Sequence, residues 1–153
     1  MRSAIDRRAM LTLVVVGAAG IISTTARAAD AGPTLVTIYR DPGCQCCEGY
    51  ADYLRQNGFK VTVIGTHDLP LMNEQYGVPD AYQGCHLAKV AGYIVEGHVP
   101  VDVFKRLLAE KPAIKGITLP GMPAGSPGMF GKKTAPFKIY ALGVGAPTLY
   151  ATE

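Results

Sequence analysis

The chain has 153 residues, 48% of them hydrophobic, with 15 Lys and Arg against 12 Asp and Glu, 18 glycines, 11 prolines and four cysteines. Its basic surplus is local: Arg2, Arg7, Arg8 and Arg27 stand against Asp6 alone, and the residues after Ala28 carry 11 basic and 11 acidic side chains. A chain neutral over 125 residues is the length of one domain with a core, and its charge gives no basis for a nucleic-acid partner.

The first 28 residues read as a leader. A basic start is followed by Met10 to Ile22, apolar or small apart from Thr12, and then by Ala26-Arg27-Ala28, a small-x-small cleavage pattern. The apolar run is shorter than the ~20 residues a membrane span needs. The expectation is export to the periplasm, cleavage after about Ala28 and no membrane attachment of the remaining domain at 29–153. Arg7-Arg8 leaves the general and twin-arginine export routes both open.

Thr34 to Tyr39 is β-branched and apolar between Gly-Pro and Asp-Pro-Gly, which predicts a buried strand. Cys47 to Asn57 predicts a helix with Tyr50, Ala51 and Leu54 on one face and Gly58 as its stop. Phe59 to Ile64 predicts a second strand. Asp68 can cap a second helix with Pro70 in its first turn and Gly77 at its end. Leu87 to Val90 and Tyr93 to Glu96 predict a hairpin around Ala91-Gly92. Pro100 opens a helix striped by Val103, Phe104, Leu107 and Leu108, which Pro112 and Gly116 end. Residues 119–129 form a Pro/Gly loop containing Met122 and Met129, and Phe137 to Leu142 predicts a last strand. There is no internal repeat or heptad pattern. The order βαβα–ββα is that of an α/β thioredoxin-like fold, here with an added Pro/Gly/Met loop and a C-terminal strand.

Three of the four cysteines fall within four residues, Cys44-Gln45-Cys46-Cys47, and the fourth, Cys85, precedes His86. Clustered thiolates are a soft ligand set suited to Cu(I), Zn(II) or an iron–sulfur cluster. Cys44 to Cys47 is also a Cys-x-x-Cys, a redox spacing. Exported thiols tend to oxidise, and four cysteines allow three pairs of bridges. A purely structural pairing explains the clustering poorly, because staples need no crowded thiols.

In the predicted topology Cys46 and Cys47 occupy the first turn of the first helix, with Cys44 just before it. Free amides and the helix dipole there favour thiolate. Cys85-His86 comes just before the third strand, at the place that faces this loop, usually held by a cis-proline. A fourth sulfur and an imidazole are therefore expected beside the first three. Met122 and Met129 are either soft thioether ligands or apolar plugs. His98 reads as structural or solvent-facing, His67 as a cap-region residue, Lys132-Lys133 as solvated surface, and Tyr39, Tyr50, Tyr53 and Tyr93 as packing.

Four motifs in order, Asp41-Pro42-Gly43-Cys44-Gln45-Cys46-Cys47, Gly84-Cys85-His86, Gly92 to Pro100 and Pro120 to Met129, together resemble the CopG-like periplasmic copper-resistance family. The likeness runs from about Thr34 to Met129. It implies a thioredoxin-like fold holding Cu(I) at clustered cysteines, including as a multinuclear cluster, and a role in copper tolerance with redox conversion of copper. The implied copper ligands are Cys44, Cys46, Cys47 and Cys85, with His86, Met122 and Met129 in support. Other periplasmic copper-handling proteins are the implied partners. The chain departs from the pattern at Gln45, where a glycine is usual, at Leu87 for a threonine, and at Phe130 for an acidic residue. Two alternatives stand beside this reading: a periplasmic thiol–disulfide oxidoreductase, and an interaction protein stapled by zinc on the four cysteines.

Overall fold

The computed structural model describes residues 32–153. The leader and its cleavage site lie outside the described residues. Among the described residues no helix is long and apolar enough to cross a membrane.

The predicted elements appear in order, with ends displaced by a residue or two. β1 (Leu35–Arg40), α1 (Gln45–Gln56), β2 (Lys60–Gly65) and α2 (Leu69–Tyr76) are followed by β3 (His86–Val90), β4 (Tyr93–Glu96) and α3 (Val101–Glu110). Asp68 sits at the start of α2 as expected, but its side chain makes no capping bond. Three short strands complete the chain: β5 (Gly116–Thr118), β6 (Lys138–Leu142) and β7 (Thr148–Thr152). Of these three the sequence pattern predicts β6 alone; β5 and β7 are additions to it. All seven strands form one sheet in the order β2-β1-β3-β4-β5-β6-β7. The β1–β2 and β4–β5 pairs are parallel, joined across α1 and α3, and the other four pairs are antiparallel.

Both faces of this mixed α/β sheet are covered, and the period of two in the strands decides what each face receives. Val36 and Ile38 of β1, Ala88 and Val90 of β3, Val95, Ile117 and Ile139 pack with Tyr50, Ala51 and Leu54 of α1 and Phe104 and Leu107 of α3. Leu87, Ile94 and Leu142 pack on the other side with Leu69, Met72 and Tyr76 of α2. Each fully buried side chain such as Leu54 or Leu107 contributes about 1.5–3 kcal/mol relative to leaving it exposed. The alternation also fixes the position of His86. It shares parity with Ala88 and Val90, so it enters the α1 face, where its ring lies 4.8 Å from that of Tyr50.

Candidate metal and thiol site

The approach to α1 is built by local bonds. The Asp41 carboxylate accepts from Gly43 N–H (2.9 Å), and the Asp41 carbonyl accepts from Cys44 N–H (3.0 Å). Arg40 braces the turn. Its guanidinium donates to the Asp41 and Pro42 carbonyls and pairs with Glu48 in the first turn of α1. Cys44 is the residue that caps α1, and Cys46 and Cys47 lie in its first turn. The buried stripe of α1 is Cys47, Tyr50, Ala51, Leu54, a spacing of three, four and seven residues. Cys47 thus begins the core-facing row and is fully buried, whereas Cys44 and Cys46 lie off it and are half-buried.

Cys85 reaches the same place from the other side. Its preceding loop is anchored by Glu96 of β4, whose carboxylate accepts from Gly84 N–H at 2.7 Å. Position 84 has no room for a side chain, since a Cβ would stand 2.6 Å from the Gly97 nitrogen. The Cys85 sulfur consequently lies 3.3 Å from that of Cys47 and 3.7 Å from that of Cys46, which is itself 3.5 Å from Cys44. Cys44 and Cys47 are joined as a disulfide, and Cys46 and Cys85 are free thiols. The Cys-x-x-Cys spacing is therefore used, and the structure describes the oxidised form.

Two overlapping sets of donor atoms result, each within 4.8 Å: Cys44, Cys46, Cys47 and Cys85, and Cys47, Cys85, His86 and His98. Sequence reasoning brought the four cysteines and His86 to one place, and they are together here. It read His98 as a structural or solvent-facing residue; the structure buries it completely at the site. His98 Nε2 lies 3.2 Å from the Cys85 sulfur, and Nδ1–H donates to the Pro127 carbonyl at 2.5 Å. Because a carbonyl only accepts, Nδ1 carries the proton and the neutral ring turns its Nε2 lone pair to Cys85. Tyr50 forms the floor. It packs against both imidazoles and donates its hydroxyl to the Val99 carbonyl at 2.8 Å. The packing role read for Tyr50 is the one found.

Electrostatics follow from burial. Loss of water pushes the Cys85 thiol far up, with Cys46 beside it acting in the same direction. His86 is held down to about 3 by burial and then by the neighbouring His98, and His98 is lowered by burial against its Pro127 bond. His86 Nε2 is buried without a hydrogen-bond partner, as is Glu96 Oε1. Neutral imidazoles with a free lone pair beside thiols are donors in the protonation state that a metal requires.

The Pro/Gly loop arrives through its backbone. Beyond the Pro127–His98 bond, Gly128 lies flat on α1, where a Cβ at 128 would be 2.6 Å from Tyr50 N and one at Gly49 would be 3.3 Å from Gly128 O. Met122 and Met129 flank this segment and are each half-buried, and Phe130 is 93% exposed. His67 stands apart on the surface, 3.7 Å from Asp41.

Fold and site together define a mixed α/β protein with a polythiol–imidazole centre between the start of one helix and the start of an adjacent strand. Residues 82–129 match the family described as "Protein of unknown function, DUF411". No curated protein matches the chain. Two solved structures are similar over nearly their whole length. "Copper resistance protein copG- Form 2" is 34% identical with a TM-score of 0.73, the match covering 79% of this chain and 98% of that one. "Copper resistance protein copG- Form 1" is 35% identical with a TM-score of 0.71 and the same coverage. The chain belongs to the CopG family of copper resistance proteins.

Proposed function

We propose that this protein binds copper as Cu(I) on Cys44, Cys46, Cys47 and Cys85, in a multinuclear cluster, and serves copper tolerance from the periplasm. The observation that carries this reading is the convergence of four sulfurs with two buried imidazoles at their inner edge. Soft donors select Cu(I), and sulfurs this close can bridge metals. Family membership supports the copper role, and the leader pattern supports export. Loading requires reduction of the Cys44–Cys47 disulfide, which takes two electrons and two protons and adds two thiols to the two already free. That requirement ties copper capacity to redox state and supports a part for the chain in copper redox conversion.

The anaerobically reduced protein is expected to bind more than one Cu(I) per chain when titrated against a competing Cu(I) chelator. Saturation at a single copper would remove the cluster and leave copper binding standing. The thiol–disulfide alternative draws support from the same disulfide, and a zinc staple would use the same four sulfurs. Copper and zinc contents of protein purified from the periplasm, with and without reductant, separate the three.

Met122, Met129 and His86 complete the proposed ligand set. Met122→Leu with Met129→Leu keeps size and apolarity and removes both thioethers. Stability is expected to change by less than ~1.5 kcal/mol, as for a volume-conserving swap, while Cu(I) affinity or its oxidation rate shifts. Unchanged copper binding and oxidation in the double variant would reduce both methionines to packing.

A further inference from the structure

We propose that Cys85 is a nucleophile that opens the Cys44–Cys47 disulfide from within the fold, with His98 as its base. The step belongs to the metal-free oxidised chain and does not rest on the copper reading. Three groups stand in sequence. The Cys85 sulfur is 3.3 Å from Cys47, the disulfide sulfur on the core-facing row of α1. His98 Nε2 is 3.2 Å from Cys85, and the Pro127 carbonyl fixes the ring so that its lone pair faces the thiol. A nucleophile, a base within hydrogen-bond reach and a group orienting that base are the elements of general-base attack, here by a thiol that burial keeps protonated until it reacts.

The reaction balances without an outside oxidant or reductant. As the Cys85 sulfur turns into line with the Cys44–Cys47 bond and attacks Cys47, its proton passes to His98 Nε2. A Cys47–Cys85 bond forms, the Cys44–Cys47 bond breaks, and its electron pair leaves on Cys44. One disulfide is present before and one after. The departing Cys44 thiolate lies at the cap of α1, where free amides and the helix dipole favour negative charge; it then takes a proton from solvent as His98 returns its own, leaving no net proton change. Cys46, whose sulfur meets Cys44 and Cys85, has no histidine or carboxylate bonded to it among the described residues. Exchange therefore changes which thiols are free. The pair Cys46 and Cys85 becomes Cys44 and Cys46, two half-buried thiols at the outer rim, while the bridge moves inward to join the Cys85 loop to α1.

The full chain carrying Cys46→Ser, oxidised and metal-free, has one disulfide and one free thiol. Incubation with excess iodoacetamide, followed by peptide mapping without reduction, locates that thiol over time. Label is expected on Cys85 and, increasingly, on Cys44, the latter together with a Cys47–Cys85 bridged peptide. Adding His98→Gln is expected to slow Cys44 labelling on the order of tenfold or more, since a positioned base contributes about 10²–10⁴-fold. Label confined to Cys85 throughout would overturn the exchange. Equal rates with and without His98 would overturn its role as base. If His98→Gln does not fold, the Cys46→Ser time course still decides the exchange. Cys46→Ser with Cys85→Ser must leave Cys44 unlabelled, and label there would also overturn it.

Discussion

Cys85→Ser is expected to weaken Cu(I) binding about as severely as Cys44→Ser, although the change lies 38 residues from Cys47 in the chain. Cys85 is, with Cys47, one of the two sulfurs common to both donor sets, and it lies close to Cys46 and Cys47 on one side and to His98 on the other. Removing an outer-shell partner of a metal ligand typically costs about 10–100-fold in affinity, so losing a ligand itself is expected to cost on the order of 100-fold or more. Fold stability is expected to change little, because serine keeps the shape and the site is half-open to water. Affinity and stoichiometry, measured by anaerobic Cu(I) competition on reduced protein, check the expectation against urea unfolding of the same samples. A Cys85→Ser chain with wild-type copper binding would show that Cys85 is no ligand and that the first three cysteines suffice.

The cysteine site was legible because it depends on few facts. A strand, a tight Asp-Pro-Gly turn and an amphipathic helix place Cys44 to Cys47 at a helix start. A parallel crossover followed by a hairpin brings the residue before β3 beside them. His86 followed from Cys85 by adjacency, and its inward face from the parity of β3. His98 was not legible in the same way. It lies in Gly97-His98-Val99, between β4 and α3, where neither a period of two nor one of 3.6 assigns a face. Its signal was present only in the Gly92 to Pro100 motif of the family resemblance, not in any spacing.

The additional strands have a similar explanation. β5 is Gly-Ile-Thr, too short for an alternation to register, and Gly116 read as the stop of α3. It serves instead as a point of close approach, since a Cβ there would stand 1.9 Å from the Ile94 carbonyl of β4. β7 pairs with β6 across a register shift near Ile139 and Tyr140, and its residues Thr-Leu-Tyr-Ala-Thr are mostly exposed, so the pattern carries little contrast. Glu96 was hidden for another reason. A carboxylate at the end of a strand normally reads as its solvent end, yet here it is fully buried beneath the loop that it holds. Burial of a carboxyl group is set by what packs over it, and those residues are distant in sequence.

Glu96 should give the metal-free oxidised protein a fall in stability between about pH 6.5 and 8. Burial raises its carboxyl to about 8 from an ordinary 4.5, against the opposing effect of the Gly84 N–H bond. Above about pH 4.5 the unfolded chain ionises this group while the folded chain keeps it protonated, so unfolding releases a proton and stability falls as pH rises towards 8. His86 acts in the opposite direction. Held down to about 3 from 6.5, it takes up a proton on unfolding at pH below 6.5, so its contribution is lost as pH falls. Between about 4.5 and 6.5 the Glu96 slope is opposed by that of His86, and by His98, which burial lowers in the same direction. From 6.5 to 8 Glu96 acts without that opposition, for a fall of about 2 kcal/mol at 1.36 kcal/mol per unit. Cys85, raised by burial, adds the same sign only as pH nears the ordinary thiol value of 9.0. Glu96→Gln keeps a carbonyl for Gly84 N–H and cannot ionise. Urea unfolding across this range should therefore show the decline in the wild-type chain and a flat profile in the variant. A decline of equal size in Glu96→Gln would assign it to another group and leave Glu96 as an anchor for the Cys85 loop alone.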